Sequence, residues 1–168
     1  YHGVMDMFRN PKLAANIYAC EQEQTPVLEI TSSMDIGEHP GCNRGNIYIL
    51  SNADSVKMYK NDRFIKEYLP EMSPYKHLKH GPILIDDFIG DALQEEHMKP
   101  GQEAGVKKAL NAFTRFGFAK LPKSIYATGI WLILRYHMNM EEAVRLYNKY
   151  IGDWGGTSTT YRFEAVMV

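Results

Sequence analysis

Residues 47–68 read IYILSNADSVKMYKNDRFIKEY, and they decide the fold class. Ser55 to Lys60 and Arg63 to Tyr68 form two arms around Asn61-Asp62, a pair that tolerates the left-handed backbone of a two-residue hairpin turn. Val56 and Met58 alternate with Lys57 on the first arm. Phe64 alternates with Arg63 and Ile65 on the second, so the hairpin has a core face. Asn46 to Leu50, just upstream, is apolar enough for a buried strand. The stretch is therefore antiparallel β material of the kind that builds sandwiches.

Working outward towards the N-terminus, Asp35 to Gly45 (DIGEHPGCNRG) is a loop, because its Gly and Pro residues supply turns and leave little apolar surface to bury. Val27 to Thr31 reads as a short strand, set off by Thr25-Pro26. Before it, Asn10 is placed to cap a helix that has Pro11 at its first position, where the missing amide costs nothing. The chain starts at Tyr1 without an initiator Met and ends on the apolar Val168, and it is expected to be a piece cut at both ends.

Working outward towards the C-terminus, the period changes at Asp86. Asp86-Asp87 can begin a helical turn through Phe88, Ile89, Ala92 and Leu93. Gln102 to Phe116 then places Val106, Ala109, Leu110 and Phe113 on one stripe. Pro122 opens a second helix containing Ile125, Trp131, Ile133 and Leu134, with Trp131 and the helical Tyr residues read as core. Asn139 caps a third, Glu142 completing a capping box and Ala143, Leu146, Tyr147 and Tyr150 forming its stripe. Gly152 to Gly156 stops it. Thr159 to Val168 returns to β character, with Tyr161, Phe163, Ala165 and Met167 on one face. Such an interruption is tolerated because loop closure grows costlier only slowly with insertion length.

Two ordered motifs carry a family resemblance. Gly3, Asp6, Arg9, Pro11, Lys12, Ala14 and Ala15 follow a G-(hydrophobic)-x-D-x-x-R-x-P-K-x-A-A pattern; Ser51, Asn52, Asp54, Val56, Tyr59 and Asn61 follow SN-x-(acidic)-x-V-x-(aromatic)-x-N. The first 70 or so residues thereby resemble the place in glycoside hydrolase family 2, of β-galactosidase type, where the catalytic barrel ends. The resemblance implies that residues 1–24 are the tail of a (β/α)8 barrel and that residues 25–168 are an immunoglobulin-like β-sandwich; the periodicity of the residues themselves adds a helical insertion at about 86–152, giving an α+β chain. The insertion departs from the short connection usual in that family. The resemblance further implies retaining hydrolysis of a β-linked glycoside by the parent enzyme. Its two catalytic Glu residues would lie upstream of Tyr1, so this chain alone is expected to be inactive and to act as an accessory region packed on the barrel of the same polypeptide.

Other chemistry is weighed residue by residue. Asp153 and Trp154 are the candidate carbohydrate contacts, since an aromatic plane beside a carboxylate can meet both the apolar face and the hydroxyls of a sugar. Sealing the joint between helix and sandwich is the favoured reading of Trp154, because large aromatics bury most of their area. His39, Cys42, His77 and His80 have ligand-like spacing but read as solvated loop residues, and no metal or other cofactor is expected. Asp86-Asp87, Glu95-Glu96 and Glu141-Glu142 read as helix-start charges and solvated faces, because adjacent helical residues cannot face one scissile bond. Asp6 and Arg9 read as a structural ion pair. No nucleophile elbow and no phosphate-binding glycine loop occurs.

The composition of the 168 residues, 45% hydrophobic and 23% charged with net charge −1, is ordinary for a globular domain. It gives no clustered basic excess for nucleic acid and no apolar run long enough to span a membrane. The two cysteines, Cys20 and Cys42, suit a reducing compartment, and a cytoplasmic location is expected. Two alternatives stand beside the accessory reading: a carbohydrate-binding module, and an interaction module whose helical insert binds another protein or a second copy of the chain.

Overall fold

A computed structural model describes residues 3–22, 24–36, 43–152 and 159–167. It shows a mixed α+β chain with helices and two small antiparallel sheets. The chain divides into two compact units: Tyr1–Ser33 with Ile47–Ile85 and Tyr161–Val168, and Met34–Asn46 with Asp86–Thr160.

Among its described residues the first unit holds the α-helix α1 (Leu13–Cys20), a 3₁₀ turn at Pro70–Met72, and the strands β1 (Leu28–Ile30), β2 (Tyr48–Ser51), β3 (Ser55–Lys60), β4 (Arg63–Tyr68), β5 (Ile83–Leu84) and β6 (Tyr161–Val166). One sheet runs β1-β2-β5 and the other β4-β3-β6, all pairs antiparallel. The hairpin forms where expected, with Asn61 at φ 48° and Asp62 at φ 62°, both left-handed as its tight turn demands. Val56 and Met58 are essentially inaccessible, and burying side chains of this size is worth roughly 1.5–3 kcal/mol each.

On β4 the expected face is wrong. Phe64 is 47% exposed whereas Ile65 is buried. Met58 pairs with Lys66 but Tyr59 with Phe64, so Ile65 is an extra residue at a bulge, and the bulge turns the strand's alternation over. Phe64 packs edge-on to Tyr59 instead, ring centroids 5.7 Å apart. On β6, Tyr161 and Phe163 are half-buried, while Ala165 and Met167 are exposed.

The start of α1 also differs from expectation. Asn10 does not cap it: its backbone N–H and its side-chain amide donate to the Asp6 carboxylate at 2.8 and 3.0 Å. Phe8 N–H donates to the same carboxylate at 2.8 Å. The Asp6 carboxylate ties residues 6–10 into a turn that closes with Arg9 at φ 66°, and the helix begins two residues beyond Pro11. Asp6 thus spends its carboxylate on Phe8 and Asn10 rather than on Arg9.

The second unit is helical: α2 (Pro100–Phe116), α3 (Lys123–Tyr136) and α4 (Met140–Tyr150). Pro100 and Pro122 stand at or just before helix starts, as their fixed φ favours. Asn139 Oδ1 accepts from Glu142 N–H at 2.8 Å, so the third helix has the cap its sequence announces. Gly105 of α2 lets α3 come close, since a Cβ there would lie 3.0 Å from Leu132 Cδ2 and 3.1 Å from Trp131 Cζ3. Residues 43–46 close the end of α2: Arg44 N–H donates to Thr114 O at 2.9 Å, and Asn43 donates to Arg115 O at 2.8 Å.

The turn before α2 is a short 3₁₀ helix, Ala92–Glu96, rather than an α-helix. Phe88, Ile89 and Leu93 are buried as the apolar spacing suggests. Asp87 is not a solvated helix-start charge. Its buried carboxylate accepts from Ile89 N–H, Gly90 N–H and Asn111 Nδ2 at 3.0–3.1 Å and pairs with Lys107 Nζ at 2.7 Å. Asn111 closes the network by accepting from Phe88 N–H at 2.9 Å.

Candidate functional site: an apolar groove on the helical unit

The amphipathic stripes of α2 and α4 face α3, and the space they leave is a groove of about 410 Å³. Val106 and Leu110 of α2, Ile125 and Leu132 of α3 and Leu146 of α4 form its buried floor. Phe113, Phe118 and Tyr147 close one side as an aromatic cluster, with centroids 4.7 Å apart for Phe113 and Phe118 and 5.5 Å for Phe118 and Tyr147. The lining is almost wholly apolar, suited to apolar surface and offering little to orient a polar substrate.

Sequence reasoning missed this groove, although a signal was present. The α3 sequence KSIYATGIWLILRY is apolar around its whole circumference, which a helix on a soluble surface does not need. Ile125 and Leu132 go inward, but Tyr126, Ile130, Ile133 and Leu134 stay more than half exposed. Trp131, read as core, is 42% exposed and lies edge-on to Tyr136 at 5.0 Å. A single helix cannot bury both faces against one neighbour.

The same unit contains a charge cluster at Glu96. This carboxylate accepts from Arg145 Nη2 at 2.8 Å, Lys149 Nζ at 2.7 Å and Tyr150 Oη at 2.8 Å. Arg145 and Lys149 together hold its pKa down at about 2, while burial pushes the Tyr150 phenol up. Glu96 is therefore neither solvated nor fitted to be a general acid, which needs a shift in the opposite direction. Its work is to fasten α4 to the 3₁₀ turn. Glu141 and Glu142 occupy the first turn of α4, where the helix dipole favours them.

The first unit explains two motif residues. Ser51 Oγ donates to Val27 O at 2.8 Å. Asn52 is buried; its Oδ1 accepts from Val27 N–H at 2.8 Å, and its Nδ2 donates to Gln22 O at 2.8 Å and Thr25 O at 2.9 Å. The pair clamps the segment between α1 and β1, a positioning task that only an amide with both donors and an acceptor can do at once.

Asp153, Trp154, His39 and Cys42 lie outside the described residues. His77 is exposed against Tyr75, and His80 donates its backbone N–H to Glu21 Oε1 at 3.1 Å. Among the described residues no three His, Cys, Asp or Glu side chains gather as a metal ion would require. Nor is any described helix long and apolar enough to cross a membrane.

Comparison with known proteins narrows the class to a mixed α+β chain carrying a partial match to a β-galactosidase region. The chain is 34% identical over 86 residues to a β-galactosidase of Thermoanaerobacter pseudethanolicus, covering 49% of this chain and 11% of that protein. It is 35% identical over 89 residues to a β-galactosidase of Thermoanaerobacterium thermosulfurigenes, covering 51% and 12%. The match thus spans about a tenth of the length of these curated relatives. No family model matches the chain.

Proposed function

We propose that this chain is a non-catalytic accessory region of a β-galactosidase-like glycoside hydrolase of family 2. In this reading residues 1–24 end a catalytic barrel, and the two sheets of the first unit are halves of an immunoglobulin-like sandwich carrying the helical insertion. The observation that supports it most is the similarity of half the chain to about a tenth of each of two β-galactosidases. The clamp of Ser51 and Asn52 agrees with it, because it ties the segment after α1 to the start of the first sheet, a join that an accessory region needs in order to hold its place.

The reading is tested with a chromogenic aryl β-galactoside. The purified chain should release no aryl alcohol. The polypeptide encoded by the same frame, extended upstream to a whole barrel, should hydrolyse it and lose activity or heat resistance when residues 25–168 are removed. Turnover by this chain alone, abolished by one Glu substitution within it, overturns the proposal, as does a frame that encodes no barrel.

A further inference from the structure

We draw no further inference here: the strongest candidate, the apolar groove between α2, α3 and α4 of the helical unit, is an unpartnered face, and nothing in the structure shows what covers it.

Discussion

The Glu96 carboxylate lies 2.7 Å from the Lys149 ammonium, 53 residues further along the chain, and the contact holds α4 against the 3₁₀ turn that precedes α2. The carboxyl is lowered from an ordinary 4.5 to about 2, so the folded state favours the ionised form. The resulting stabilisation is present above about pH 4.5 and disappears as pH falls through about 2. Glu96→Gln should cost about 1–3 kcal/mol at neutral pH, read by urea unfolding, because hydrogen bonds to a charged group are lost. It should also flatten the fall in melting temperature between about pH 5 and pH 2. Identical acid profiles for the two proteins would show that Glu96 contributes nothing to acid sensitivity.

Asn52 makes three hydrogen bonds from one buried side chain, to Gln22, Thr25 and Val27. Asn52→Ala leaves one donor and two carbonyls without this partner, and should destabilise the chain by about 2–4 kcal/mol. Asn52→Asp keeps the acceptor but loses both donors and places a carboxylate beside two carbonyls, so it should be no milder. Amide hydrogen exchange gives the local reading: Val27 N–H should lose protection in Asn52→Ala, while amides in α2 of the helical unit keep theirs.

The turn pair Asn61-Asp62 has positive φ at both positions, where glycine is free of the penalty other residues bear. Asp62→Gly should therefore stabilise the hairpin by up to about 1 kcal/mol. The ion pair it removes, to Arg162 at 3.6 Å, is exposed and worth little. Asn61→Val should do the reverse, since a β-branched residue resists the left-handed region. Thermal unfolding of the three proteins under one set of conditions gives the order Asp62→Gly above parent above Asn61→Val.

What the sequence disclosed and what it hid divide along the range of the physical cause. The turn at Asn61-Asp62, the cap at Asn139 and the prolines before α2 and α3 are local: each residue meets a backbone requirement of its own few neighbours. Ile65 replaces Phe64 in the core because a bulge arises in pairing with β3, which nothing within β4 announces. Asp87 and Glu96 look like solvated charges until partners 24 and 49 residues away close on them. The groove lies between these extremes, since its evidence was the all-round apolar character of α3, and only the packing shows which of its faces is left in water.

Cys20 supplies the last prediction. It is wholly inaccessible at the end of α1, and burial, with the charge of Glu21 beside it, pushes the thiol up to about 11 from an ordinary 9. The thiolate is the reactive form, so the native chain should resist alkylation at neutral pH. In a Cys42→Ser background, which leaves a single thiol, Cys20 should react with Ellman's reagent only as denaturant unfolds the first unit. The sign of the linkage follows from the raised value. Below about pH 9 both folded and unfolded thiols keep their protons; above it the unfolded chain loses its proton first, so stability falls as pH climbs towards about 11. Cys20→Ala or Cys20→Val removes that titration, and a stability profile from pH 8 to pH 11 should become flatter in either variant. Rapid labelling of the native single-thiol protein would show that α1 opens far more readily than its buried C-terminal end implies.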